Sequence, residues 1–249
     1  VTNRFTQIGF DRQILLEWLE YTVNLILAGN SRQGVYTALD EFLSDQLAVG
    51  STAKRNARDK TITILMRVWF DGVPELESLR ARGLEMIRLL PIEEHVPIHW
   101  GMSMAAYPFL KAVADNIGRL LRLQDSVTSS QVQRRVREKY GERETVIRAA
   151  QRVMYSFVNW GVLEKEAKAQ VYKPGISRHI DNPELIAWLV EALLHANPDG
   201  RSLLNDLLQS PALFPFTLAW VPPNVIEELA HVQVAHQGLD GDLLILKKD

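Results

Sequence analysis

The chain has 249 residues, of which 47% are hydrophobic and 23% charged, so it is not a disordered chain and can bury one large core or two small ones. It contains no cysteine, which removes disulfide scaffolds, Cys-ligated zinc, iron–sulfur clusters and thiol nucleophiles. Net charge is −2, yet residues 129–178 hold eleven basic side chains against five acids, a local +6 set in a remainder of −8.

No apolar leader follows Val1 to Arg4, and no stretch approaches the ~20 apolar residues of a membrane span. The expectation is therefore a soluble, cytoplasmic protein without a membrane role. Asp11 is placed to cap a helix running to Ala28, with Gly29 as its stop and Ile14, Trp18, Leu19, Val23 and Ile26 at helical spacing. A second helix is expected over Ser31 to Leu47, and a third from Ser51 or Thr52 to about Trp69. Pro74 stands where a first helical residue should be, opening a fourth helix that ends near Leu90. Pro91, Pro97 and Gly101 predict a loop over Pro91 to Met102, followed by a fifth helix from about Ala105 to Leu121.

The most informative stretch comes next. Val127 and Thr128 read as a short extended link, and Thr128 with Gln131 makes a capping box. The helix it opens ends at Tyr140 and Gly141. After a short turn, a longer helix runs from Glu144 to Trp160 and stops at Gly161. Alternating residues at Val162 to Glu166 and Gln170 to Tyr172 then predict a hairpin. Helix, turn, helix and basic hairpin in that order are a winged helix-turn-helix pattern. Toward the C-terminus, Asn182-Pro183 opens a helix to about His195, and Ser202 to Gln209 forms a shorter one. Leu213 to Trp220 is strand-like, Val225 to Ala230 is helical, and Val232 to Ala235 pairs with Leu243 to Leu246 in a hairpin. The expected fold is mainly α. It comprises an N-terminal helical bundle over 1–100, a winged helix-turn-helix over 101–178, and a C-terminal helix-plus-hairpin module over 179–249, itself a candidate second winged-helix-like unit.

A major-groove helix reads bases from its N-terminal part, which nominates Thr145, Arg148, Gln151 and Arg152. Arg134, Arg135, Lys139 and Arg143 on the preceding helix and turn are candidate phosphate clamps. So are Lys165, Lys168 and Lys173 in the wing. A second basic cluster includes Lys54, Arg55, Arg58, Lys60 and Arg67, and Lys54, Arg55 and Arg58 are candidate auxiliary phosphate contacts. His95 and His99 have a metal-like spacing, but Pro97 between them argues against a helical scaffold, so no metal site is expected. No phosphate loop, nucleophile elbow, His-Glu-x-x-His or dinucleotide fingerprint is present. The expectation is a non-enzymatic protein with no catalytic residues and no cofactor.

The order of parts resembles the BrxA family of small helical proteins from the BREX phage-defence system. The resemblance is carried by the N-terminal helical region with Tyr21, Leu25 and Ile26, and by the helix start Ser51-Thr52-Ala53-Lys54-Arg55-Asn56-Ala57-Arg58 with Arg67 beyond it. The middle helices and the unit ending in the hairpin at Leu163 continue it. It implies a helical core shaped like transcription-antitermination bundles, winged-helix elements, and double-stranded DNA binding without catalysis, in the company of other defence-system proteins. Two other readings stand beside it. One is a protein-interaction scaffold using the acidic remainder and Phe214, Phe216 and Trp220; the other is an RNA-binding, antitermination-like helical protein.

Overall fold

The structure is a computed structural model that describes residues 4–47, 52–167, 170–236 and 241–247, with only the backbone of 52–56. The protein is mainly helical, with short strands in small sheets. The first helices are α1 (Leu16–Leu27), α2 (Arg32–Gln46), α3 (Thr52–Trp69) and α4 (Glu77–Leu89), the last preceded by a 3-10 turn at Pro74–Leu76. Gly29 closes α1 with φ +80, a conformation open to glycine at little cost. The side chain of Ser31 caps α2 by accepting from Gly34 N at 3.2 Å.

Helix α1 begins at Leu16 rather than at Asp11. The backbone N–H groups of Ile14 and Leu16 donate instead to Ser156 Oγ and Asn159 Oδ1, both at 2.8 Å. A segment whose amides are satisfied by a distant helix has no need to coil on itself. Asp11 pairs with its neighbour Arg12 at 3.1 Å instead of capping.

The expected loop at Pro91 to Met102 is a 3-10 turn at Ile92–Glu94 followed by α5 (His95–Ala106), all twelve of whose residues are buried. Pro97 is the third residue of α5, where the N–H it lacks would have had no acceptor within the helix. Helix α5 is buried all round, so no amphipathic period marks it in the sequence. It packs against α9 (Pro183–His195), which has eleven buried residues. Gly101 admits the close approach: a Cβ there would sit 2.5 Å from Trp188 Cζ3. The Trp188 indole N–H is satisfied by Leu79 O at 2.8 Å. The chain turns at Tyr107 into α6 (Pro108–Leu121), and one continuous cluster of buried side chains runs from Phe10 to Leu244.

After α6 come β1 (Val127–Thr128), α7 (Ser129–Tyr140), α8 (Glu144–Asn159), β2 (Leu163–Lys165) and β3 (Val171–Pro174). The Thr128 capping box is formed: Thr128 Oγ1 accepts from Gln131 N at 3.2 Å and Gln131 Oε1 accepts from Thr128 N at 2.8 Å. The three strands form an antiparallel sheet in the order β1-β3-β2.

The C-terminal elements are partly similar in order. They are β4 (Arg178–Ile180), α9, β5 (Arg201–Leu203), α10 (Leu204–Leu208), β6 (Phe216–Leu218), α11 (Pro223–Leu229), β7 (Val232–His236) and β8 (Asp242–Leu246). Strands β5, β7 and β8 form an antiparallel sheet in the order β5-β8-β7, the same pattern as β1-β3-β2, while β4 and β6 pair in parallel. The helix expected over Ser202 to Gln209 is only five residues long, because Arg201–Leu203 pairs with β8. In the strand-like stretch Leu213 to Trp220 only Phe216–Leu218 is extended; Pro211–Leu213 is a 3-10 turn against α6. Its Pro211 O lies 1.9 Å from where a Cβ on Gly118 would stand. Ser51, and the hairpin turn at 237–240, lie outside the described residues. Among the described residues, no helix is long and apolar enough to cross a membrane.

Candidate nucleic-acid interface

Helix α8 buries Val146, Ala149, Ala150, Val153, Met154 and Phe157 on one face. Its C-terminal half is also covered on the other side. Ser156 and Asn159 accept from the amides of Ile14 and Leu16, and Trp160 Nε1 donates to Ile14 O at 2.9 Å. What remains open is the N-terminal half, where Glu144, Thr145, Arg148 and Arg152 are exposed. Arg148 is engaged with Glu144 one turn earlier, Nε to Oε1 at 3.0 Å. Both side chains are about two-thirds exposed (67% and 71%), and such surface pairs contribute ~1 kcal/mol or less, so a stronger anion can displace the carboxylate.

On one flank of α8 lies the hairpin of β2 and β3. Gln151 Nε2 donates to Tyr155 Oη at 2.8 Å, and Lys165 Nζ stands 5.1 Å above the Tyr155 ring. The buried Tyr172 donates to Gln170 Oε1 at 3.1 Å, and burial pushes its phenol up to about 12. Lys173 pairs with Glu166 across the hairpin at 2.7 Å. Lys168 lies outside the described residues. On α7, Arg134 and Lys139 are exposed and Arg135 half-buried, with Lys139 Nζ 5.6 Å from the Tyr140 ring centre. Arg143, exposed in the turn, approaches Tyr140 O at 3.5 Å.

The other flank of α8 faces the N-terminal helices across a cleft of about 650 Å³. Its walls are the segment Ile8 to Arg12, one face of α3, and the open half of α8, with Tyr107 also in the lining. Arg12, Lys60, Arg67, Arg148 and Arg152 all line it, against the single carboxylate of Asp11. The Arg67 guanidinium lies 5.0 Å from the Tyr107 ring centre, a cation–π contact that aims it without neutralising it. Among the described residues, no carboxylate forms an ion pair with Lys60, Arg67 or Arg152.

The structure thus brings Thr145, Arg148 and Arg152 together with a part of the α3 cluster not nominated from sequence. Arg58 faces α2, where Nε pairs with Asp40 Oδ1 at 2.5 Å. The side chains of Lys54 and Arg55 lie outside the described ones. Lys60 and Arg67 are seven residues apart and share a face of α3, a signal present in the sequence. Nothing in the sequence marked Arg12, whose position depends on docking of the pre-α1 segment onto α8.

His95 and His99 meet on one face of α5, and both contact Glu20 Oε1 at 3.0 Å. His99 Nδ1 accepts from Trp69 Nε1 at 3.1 Å, so the proton of the neutral ring sits on Nε2, the atom nearest the carboxylate. Among the described residues no group of three or more His, Cys, Asp or Glu is arranged to hold a metal ion. Burial lowers the His99 pKa in spite of Glu20. Burial would raise Glu20, but contacts from His99 and His95 bring its carboxyl below the ordinary value.

No family model, curated protein or solved structure matches the chain.

Proposed function

We propose that the protein is a non-enzymatic double-stranded DNA-binding component of a BREX-type phage-defence system. In this reading residues 101–178 act as a winged helix-turn-helix, with the helical bundle of 1–100 before it and the helix-plus-hairpin module of 179–249 after it. The observation that carries the reading is the open N-terminal half of α8, bearing Thr145, Arg148 and Arg152 and flanked by cations on both sides. The order α6, β1, α7, α8, β2, β3 with an antiparallel β1-β3-β2 sheet supports it, because a winged helix presents its second turn-helix helix and its hairpin to the duplex in this sequence of parts. Arg148 and Arg152 suit bidentate contacts to guanine. In this reading Arg134, Arg135, Lys139, Arg143 and Lys165 contact phosphates. Assignment to a defence system rests on the family resemblance.

Titrating duplex DNA against the protein at increasing salt tests the binding. Six phosphate contacts predict an affinity loss of roughly 10³-fold between 50 and 200 mM salt. Arg148→Ala/Arg152→Ala is expected to weaken binding at least tenfold. Unchanged affinity in that variant removes α8 as the reading helix. Preference for RNA over duplex in direct competition would favour the antitermination-like reading instead. The scaffold reading draws its support from Trp220, a large apolar side chain 67% exposed.

A further inference from the structure

We infer that the cleft between α3 and α8 seats one phosphodiester strand of the bound duplex, which makes the N-terminal bundle part of the DNA-binding surface. The inference rests on the DNA-binding reading and adds to it a second wall, built by residues far away in sequence.

The first argument is charge. Cations from three separate elements, Arg12, Lys60 with Arg67, and Arg148 with Arg152, converge on one concave surface. Arg12 pairs with Asp11 and Arg148 with Glu144, but Lys60, Arg67 and Arg152 do not, and like charges gathered in a concavity focus a positive field that an entering anion relieves. A merely solvated helix face would spread its cations outward, as Arg32 and Arg88 do with their exposed partners Asp71 and Glu85. In the cleft, Arg67 is instead held over Tyr107, and Lys60, Arg67 and Arg152 have no ion-pair partner among the described residues.

The second argument is placement. A helix lying in the major groove, ~12 Å wide, has a phosphate backbone along each of its flanks. The β2–β3 hairpin with Lys165 attends one flank of α8, and the cleft lies along the other. Arg148 and Arg152 are shared between the open face of α8 and the cleft wall, so a strand bordering the groove passes directly between them and Lys60 and Arg67. The contacts that Lys60 and Arg67 add are to phosphate, so they raise affinity for every sequence alike.

The test uses the full chain and a fluorescent 30-base-pair duplex, with affinity measured from 50 to 300 mM salt. Lys60→Ala/Arg67→Ala is expected to weaken binding to unrelated duplex sequences equally. The slope of log affinity against log salt should fall by about two, one for each lost phosphate contact. The thermal midpoint of this variant at low salt should stay level or rise, because it relieves repulsion; a destabilised fold would not give a lower slope and a preserved midpoint together. Should the double variant fail to fold, Lys60→Gln, at an exposed position, is expected to lower the slope by about one. Wild-type binding with an unchanged slope in both variants overturns the cleft while leaving the DNA reading in place. No duplex binding by the wild type at 50 mM salt overturns the reading and the cleft's role together. If inorganic phosphate or a mononucleotide raises the wild-type midpoint as far as duplex does, and that shift is lost in Lys60→Ala/Arg67→Ala, the cleft takes a free anion and the strand seat is wrong.

Discussion

Removing the Arg82 side chain should destabilise the protein by about 3 kcal/mol, because it leaves a buried carboxylate without its counter-charge. Glu191 on α9 is 1% exposed, and its Oε1 lies 2.5 Å from Arg82 Nη2 on α4. Its Oε2 accepts from His231 N at 2.7 Å, and Arg82 Nη1 donates to Leu229 O of α11 at 3.2 Å. One guanidinium therefore ties α4, α9 and the end of α11 together. Breaking a buried pair costs about 3–5 kcal/mol, and the low end applies because Arg82 is 31% exposed and the His231 amide remains. In urea denaturation at pH 7, Arg82→Ala should lower the midpoint by roughly 1 M with little change in slope. The pH dependence carries a second signature. Burial raises Glu191, and in the wild type His195, Arg82 and the His231 amide bring it below the ordinary value. Without Arg82 both of its contributions are lost while burial stays, so the folded-state value rises relative to the wild type. Relative to the wild type, a raised carboxyl gains stability on protonation and loses it as pH increases, so the deficit of Arg82→Ala should shrink from pH 7 to pH 5. Arg82→Ala/Glu191→Gln should be more stable at pH 7 than Arg82→Ala alone. A midpoint loss below about 0.3 M, or a deficit that is the same at both pH values, would refute the buried-charge argument.

Three further outcomes are expected. Burial holds His99 below its ordinary value of 6.5, so its contribution to stability is complete above that pH and is lost as pH falls beneath it. Thermal melts of His99→Gln, which keeps an acceptor for Trp69, should fall less steeply between pH 6.5 and 5 than those of the wild type. Gly118→Ala forces a Cβ to within 1.9 Å of Pro211 O, a backbone atom that cannot swing away, and should cost about 2–3 kcal/mol by chemical denaturation. Thr128→Ala removes the acceptor for Gln131 N and should cost about 1 kcal/mol in the same assay, with Gln131→Ala also destabilising through the amide of Thr128.

Local chemistry was legible wherever it was complete within a few residues. The Thr128 and Gln131 box, the stop at Gly29 and the helix-opening Asn182-Pro183 pair act through neighbours in the chain, and all three form. Tertiary satisfaction was not legible. Residues 11–15 carry helical spacing, yet the amides of Ile14 and Leu16 find partners on α8, 142 and 143 residues away. Helix α5 was hidden for the opposite reason: burial on every side erased its periodicity, and Pro97 looked like a breaker when it occupied a position that tolerates proline. Strands β4, β5 and β6 have three residues each, too few for alternation to register. For the interface, the basic composition of α7, α8 and the hairpin was plain in the sequence, whereas the cleft exists only once α3 and α8 face each other. The α3 cations singled out from sequence include Arg58, which turns to Asp40, while those lining the cleft are Lys60 and Arg67.

The two halves of the charge partition acquire different meanings from the partly repeated topology. The sheets β1-β3-β2 and β5-β8-β7 share a strand order, and α11 leads into β7 as α8 leads into β2, although β6 interrupts the second unit between α10 and α11. Helix α11 carries Glu227 and Glu228 and no basic residue, and Glu227 is occupied with Val234 N at 3.1 Å. A phosphate backbone brought to α11 would meet like charge, whereas at α8 it meets Arg148 and Arg152. On the DNA-binding reading, the acidic remainder therefore penalises the wrong docking geometry: a duplex is drawn to the first unit and turned away from the second. The second unit keeps the architecture for packing, with α9 against α5 and Glu191 clamped by Arg82, and gives up the polyanion chemistry. On that reading, a chain of net charge −2 binds a polyanion in one orientation because the repulsive surface adds to the orientation set by the attractive one.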